Sequence, residues 1–158
     1  IITHLHWDHC VNTKLFVNAK IIVSRRGLAS VVVPKHLGLI PEDLFPRDVI
    51  SYLVGSAWSR IVLAEDDFEV VPGIRTFWVG GHTECSQAVV IDTVKGTAVL
   101  GGDTIFMYEN IESNIPVAYA HNITECYAAM ERIRREADII LPNHDPRVLQ
   151  RHPGGNIA

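Results

Sequence analysis

Three imidazoles and a carboxylate crowd into residues 4–9, in the stretch Thr3-His4-Leu5-His6-Trp7-Asp8-His9. Neutral imidazole is the commonest metal ligand among side chains, and the pattern H-x-H-x-D-H offers two ligand sets. His4 and His6, two apart after a strand, can lean toward one ion. Asp8 and His9, displaced as the chain turns, can reach a second ion beside it. A loose metal-capturing tract is the bland alternative, but such tracts run longer and are more repetitive.

Two neighbouring ions need further ligands. A catalytic zinc keeps one position open for water, and a pair of ions wants a carboxylate between them. Three segments supply candidates: Gly80-Gly81-His82-Thr83 after the apolar run Ile74 to Val79, Val99-Leu100-Gly101-Gly102-Asp103, and Ile139-Ile140-Leu141-Pro142-Asn143-His144-Asp145. In each, the polar residue stands just past an apolar strand, where functional groups tend to collect on loops. A metal pair lowers the pKa of a bridging water to give an attacking hydroxide. It also polarises a carbonyl and steadies the leaving oxygen. That chemistry suits hydrolysis of esters, lactones, thioesters or amides. No G-x-S-x-G elbow points to a serine nucleophile instead. Asp8 and Asp103 are the candidate catalytic carboxylates, Asp8 either as a ligand only or also as a group that takes up or hands on a proton.

Several elements must position these groups. A short helix is expected over Val11 to Phe16, packing Val11, Leu15 and Phe16, followed by a strand over Lys20 to Ser24. Residues 25–33 are mixed and compatible with helix. Residues 34–46, rich in proline and leucine, read as a loop or short helical insert that continues as helix over 48–57. Strands are expected over Ile61 to Ala64, Phe68 to Val71 and Ile74 to Val79, the last two joined by the turn Pro72-Gly73. Ser86 to Thr93 and Thr97 to Leu100 form a hairpin. The strongest helix runs from Ile123 to Ala137. Asn122 is its N-cap, Glu125 completes a capping box, and Ile123, Cys126, Tyr127, Met130, Ile133 and Ala137 form its apolar face. Ile139 to Leu141 is a last strand.

The seven polar positions, in their order, resemble the metallo-β-lactamase fold superfamily of metal-dependent hydrolases. That resemblance implies an α+β fold, the four-layer αβ/βα sandwich, with His4, His6 and His82 holding one ion. Asp8, His9 and His144 would hold the second, with Asp103 between the two. It implies two divalent ions, zinc first, with iron, cobalt or manganese as alternatives. In this family the H-x-H-x-D-H loop follows several strands of the first sheet, whereas here it begins at residue 4. The chain therefore reads as one domain over residues 1–158 with its first sheet largely absent, and Ile1-Ile2 as the end of the strand feeding the loop.

Within the superfamily, residues 66–146 resemble the N-acyl homoserine lactonase branch. The resemblance rests on Asp66 to Gly73, the Gly-His-Thr motif with Ser86-Gln87, the run Tyr108-Glu109-Asn110-Ile111-Glu112, and His144-Asp145. It implies a lactone or related ester as substrate. Two positions depart from that branch. Phe106 stands where a tyrosine usually follows the bridging Asp by three, and it cannot donate a hydrogen bond. Cys85 stands where glycine is common. Gly-Asp-Thr-Ile-Phe is closer to glyoxalase II-type thioesterases, which leaves a thioesterase, or a metal-binding remnant without catalysis, as the alternatives. Relatives with iron redox chemistry usually alter the ligand set and carry a flavin domain. Trp7, Phe106 and Tyr108 are the expected pocket walls. Trp58 and Trp78 are expected as core or interface aromatics, and His36, His121 and His152 as bystanders.

A length of 158 residues with 47% hydrophobic content suits a core-bearing domain. The net charge of −4 and lack of a basic run argue against a nucleic-acid phosphate track. Arg132, Arg134 and Arg135 read as a solvated helix face. The three cysteines do not form a complete disulfide framework. Cys126 is expected in the core, and Cys10 and Cys85 as small packed residues, with a soft metal ligand as the alternative. No apolar run long enough to span a bilayer and no signal peptide is visible. With the N-terminal part read as missing, the second absence decides nothing; a cytoplasmic protein is the expectation, with a homodimer left open.

Overall fold

The computed structural model describes residues 1–33 and 44–157. The expected insert over 34–46, with His36, falls almost wholly outside the described residues. Two sheets carry the molecule. The smaller pairs β1 (Ile21–Ser24) with β2 (Ile61–Ala64) in parallel. The larger runs in the order β3 (Asp67–Val71), β4 (Ile74–Trp78), β5 (Gln87–Thr93), β6 (Gly96–Leu100) and β7 (Ile139–Leu141). Its first four strands are an antiparallel meander, and β7 joins β6 in parallel. The turn between β3 and β4 rests on Gly73, whose φ of +82° suits a residue without Cβ.

Parallel pairing of β6 with β7 requires a crossover. The chain makes it through α4 (Tyr108–Glu112) and α5 (Ile123–Glu136). α5 lays Ala129, Met130 and Ile133 on Phe77, Val79, Ala88, Val90 and Val99 of the large sheet, closing one core around Ile105. A second core gathers Ile2, Leu5, Cys10, Ile21, Val23, Val49, Leu53 and Cys85. It is covered by α2 (Arg25–Val32) and α3 (Arg47–Val54). Ser24 begins α2 with its hydroxyl accepting the Gly27 N–H.

The opening segment stitches the two sheets together. Ile2 N–H donates to Ile22 O at 2.9 Å, Gln87 N–H donates to Thr3 O at 2.9 Å, and the buried Gln87 amide donates to Ile2 O at 2.7 Å. Ile1-Ile2 is assigned to neither sheet, although Ile2 bonds β1 as a strand residue would.

Several expectations need correction. Residues 11–15 form a 3-10 helix, Val11–Leu15, in which positions three apart align. That period turns Cys10 and Thr13 inward and leaves Val11, Leu15 and Phe16 exposed. On α5, Tyr127 stands about 100° around the axis from Cys126, and it is exposed together with Ile123. The buried stripe is Cys126, Ala129, Met130 and Ile133. Trp58 is exposed rather than core. The arginines of α5 are also more than a solvated face. Arg132 lies 3.9 Å over the Phe77 ring and pairs with Glu136 and Asp67, while Arg134 donates to Ile111 O and Asn114. The short helices α1 (Trp7–Cys10), α4 and α6 (Arg147–Arg151) were not anticipated. No helix among the described residues is long and apolar enough to cross a membrane.

Candidate metal centre

The seven candidate side chains come from four places in the chain and meet between the two cores. His4 and His6 lie on the opening loop, and Asp8 and His9 follow in α1. His82 stands in the loop after β4, Asp103 in the 3-10 turn Gly102–Ile105 after β6, and His144 after β7. The sheet order explains the convergence, because β6 and β7 are neighbours and deliver Asp103 and His144 side by side.

Three groups of ligand atoms lie within 4.8 Å of one another: His4, His6 and His82; His4, His9 and Asp103; and Asp8, His9 and His144. None includes a cysteine. Asp103 stands at the junction. Its Oδ2 lies 3.7 Å from His4 Nε2 and 3.6 Å from His82 Nε2. Its Oδ1 lies 3.2 Å from both His9 Nε2 and His144 Nε2. On the Oδ1 side His9 Nε2 is 3.2 Å from Asp8 Oδ2 and 3.4 Å from His144 Nε2. On the Oδ2 side His6 Nδ1 and His82 Nε2 are 3.1 Å apart.

The donor set fits a cation. His4 Nε2 is fully buried and has no hydrogen-bond partner among the described residues. An unsatisfied buried polar atom is costly, and most native examples have a water or an ion to explain them. Burial, reinforced by neighbouring His9, pushes the His4 imidazole down to about 2, and burial pushes His6 down to about 4. His82 is also lowered by burial. These three rings are therefore neutral, the form that ligates. Burial opposes ionisation of Asp103, yet the hydrogen bond to His9 and the adjoining imidazoles hold its carboxyl well below the usual carboxylate range. His9 goes the other way: burial lowers it, but the bond to Asp103 and the charge of Asp8 raise it overall.

Surrounding groups orient the rings. His82 Nδ1 lies 2.7 Å from the Tyr119 carbonyl, which can only accept, so Nδ1 carries the proton and Nε2 faces the cluster. Asn143 donates to Asp103 Oδ1 at 3.3 Å, and its amide nitrogen lies 3.5 Å from His9 Nδ1. Neither Tyr119 nor Asn143 stood out as an orienting group in the sequence. Asn143 had a signal in its place directly before His144, whereas a backbone carbonyl such as that of Tyr119 leaves none.

The expected pocket walls divide. Phe106 stacks on His144 with centroids 4.2 Å apart and planes at 19°. Trp7, in α1, is 55% exposed beside the cluster residues His6 and Asp8. Tyr108 is buried, and its ring packs against Arg151 at 3.7 Å and Arg147 at 5.4 Å, under α6. Its N–H donates to Asp145, which also binds Arg147, so Tyr108 joins a network that anchors α4 to α6. Tyr119, not Tyr108, is the tyrosine whose ring meets the cluster imidazoles. Its ring stands edge-on to His82 at 5.9 Å and to His6 at 6.2 Å. His121 pairs with Glu84, away from the cluster.

The cysteines are buried and structural. Cys85 Sγ accepts the Leu5 N–H at 3.3 Å, and Cys10 donates to Leu5 O at 3.6 Å. Burial pushes the Cys10 thiol up to about 12 and that of Cys126 up to about 11.

Comparison with known proteins places this geometry. The family model of the metallo-beta-lactamase superfamily matches residues 1–144. The chain is 29% identical to an N-acyl homoserine lactonase of a Bacillus species over 149 residues, covering 92% of this chain and 54% of that relative. It is 28% identical to the N-acyl homoserine lactonase AiiA of Bacillus thuringiensis subsp. kurstaki, with the same coverage. It therefore spans about half the length of these relatives. Among solved structures, AiiA of B. thuringiensis with N-decanoyl-L-homoserine bound at its active site superposes with a TM-score of 0.76 at 25% identity, covering 95% of this chain and 56% of that one. A probable metal-dependent hydrolase from Staphylococcus aureus, at 22% identity and a TM-score of 0.74, shares the fold over 90% of this chain and 53% of its own. On the family match from residue 1 to residue 144, the chain belongs to the metallo-beta-lactamase superfamily and has its α+β fold.

Proposed function

We propose that this chain contributes a centre for two divalent ions, zinc first, and that the protein hydrolyses a lactone or related ester. The observation that carries the reading is Asp103. One of its oxygens faces His4 and His82 and the other faces His9 and His144, as a carboxylate shared by two ions would. His4, His6 and His82 would hold one ion, and Asp8, His9 and His144 the other. Meeting at this cluster, the two cores support reading residues 1–158 as part of a single domain.

When bound, a metal pair supplies Lewis acidity for the substrate carbonyl and an acidified water. The chain's own residues do the rest. His82, held by Tyr119 O, and Asp103, held by Asn143, fix the ligand set before substrate arrives. Asp8 is the exposed carboxylate of the cluster, with its Oδ2 3.2 Å from His9 Nε2, so it can take up the proton left on the oxygen that has added to the carbonyl and pass that proton to the departing alkoxide. Phe106 stacks on His144 and excludes water from one face of that ring. No serine or cysteine nucleophile is needed, in keeping with the buried cysteine thiols.

The named activity of the curated relatives supports N-acyl homoserine lactones as the first substrates to try. The test is a pH-stat screen of the zinc-loaded protein against lactones, thioesters and β-lactams. Acid release with lactones is the expected result. Release with thioesters alone makes the protein a thioesterase, and two bound ions without release on any of them makes it a binding remnant.

A further inference from the structure

The loop that carries His82 is fastened to the start of α5 in a way that capping alone does not require. In a capping box the acidic residue at the third helical position reaches back to the N–H of the N-cap residue. Asn122 plays its half, its Oδ1 accepting from Thr124 N–H at 3.0 Å and Glu125 N–H at 3.2 Å. Glu125 does not play the other half. The Asn122 N–H is given to Gly81 O at 2.9 Å, and Glu125 Oε2 accepts the Gly81 N–H at 2.9 Å. The second carboxylate oxygen of Glu125 is steadied by the Asn122 amide at 2.9 Å.

Both polar groups of Gly81 are thus taken by the helix start, and the next residue is His82. His121 N–H adds a bond to His82 O at 3.2 Å, and Tyr119 O holds the ring itself. Gly81 is buried at a φ of +74°, and a Cβ there would meet Cys126 Sγ at 2.7 Å and Cys126 N at 2.8 Å. The loop is wedged against α5, so its seat is set by what α5 offers. Without Glu125, a buried N–H one residue before the ring has no acceptor and the loop is free to shift.

We propose that Glu125 is a positioning residue for the metal centre, fixing through Gly81 the direction in which His82 presents Nε2 to His4 and His6. This rests on the reading of His82 as a ligand. The expected effect is selective for one ion. Removing partners that orient a ligand costs about 10–100-fold in metal affinity, and here the loss falls on the ion of His4, His6 and His82 alone.

The test is chelator competition for both zinc equivalents on the protein, with thermal unfolding of the metal-free forms alongside. His82→Ala identifies which equivalent His82 serves. Glu125→Ala should weaken that same equivalent by about 10-fold or more and leave the other unchanged. Glu125→Gln, whose amide oxygen still accepts from Gly81 although its nitrogen then meets the Asn122 amide donor to donor, should recover most of the affinity lost in Glu125→Ala. Ile133→Val, which trims the buried face of α5, should lower the melting temperature without selectivity for one ion. Glu125→Leu, of similar bulk without an oxygen, serves if the alanine variant does not fold. The proposal fails if Glu125→Ala binds both ions normally while His82→Ala loses one. It also fails if Glu125→Ala and Ile133→Val weaken both ions alike. Normal binding of both ions by His82→Ala removes the ligand reading itself.

Discussion

Each oxygen of Asp103 looks toward a different pair of imidazoles, so this residue couples the two halves of the cluster. Asp103→Asn keeps the volume but removes the charge and replaces one acceptor with a donor facing the imidazoles. Bound zinc should fall from two ions to one or fewer per chain, and hydrolysis by more than about 100-fold, beyond what loss of an orienting group costs. Metal analysis and lactone titration of the same sample check both. Asn143→Ala removes the donor to Asp103 and should weaken metal binding by about 10-fold, measured by chelator competition; unchanged affinity would deny Asn143 its orienting role. At this scale the sequence was informative about ligands and nearly silent about their supports. His and Asp declare their chemistry by type and spacing. The Tyr119 carbonyl could come from any residue, and only the folded path of the chain shows that it meets His82. Tyr108 misled for a related reason. Closeness to Asp103 in sequence suggested the pocket, but the turn into α4 and the pull of Asp145 on its N–H direct the ring toward Arg151.

Elements with a strong period were legible before the structure. The strands of the large sheet appear within a residue or two of expectation, and α5 ends at Glu136 rather than Ala137. Short elements were not, because α1, α4 and α6 have at most five residues. One turn gives too few positions to display a 3.6-residue repeat, and tertiary contacts decide such segments. The expected packing of Val11, Leu15 and Phe16 failed because a 3-10 turn shows a different face than an α-helix. The loop between β4 and β5 is tightly constrained where its backbone meets the start of α5. Gly81→Ala forces a Cβ against Cys126 at a positive φ, a strain of about 1–3 kcal/mol. Thermal unfolding should register a clear fall in melting temperature, and an unchanged value would mean that the loop can relax away from α5.

Across the whole molecule the ligands of one centre are drawn from both cores, so burial of the cluster is coupled to folding. Free of metal, the folded chain refuses protons at His4 and His6, lowered to about 2 and about 4, and at His82, also lowered. The unfolded chain accepts them at about 6.5. More protons on the unfolded state mean that stability falls as pH falls. The contribution of these rings is complete above about 6.5 and is lost progressively down to about 4 for His6 and about 2 for His4. His9, with a raised value, opposes the trend. Denaturant unfolding of the metal-free protein at pH 7.5 and pH 5 should show the loss, and His4→Gln should lose less; equal losses would contradict it. The most direct test of the binuclear reading is anomalous diffraction from crystals of the zinc-loaded protein. Two peaks about 3.5–4 Å apart are predicted, with one oxygen of Asp103 on each, His82 beside the first and His144 beside the second. A single peak, or zinc bound without Asp103, would contradict it.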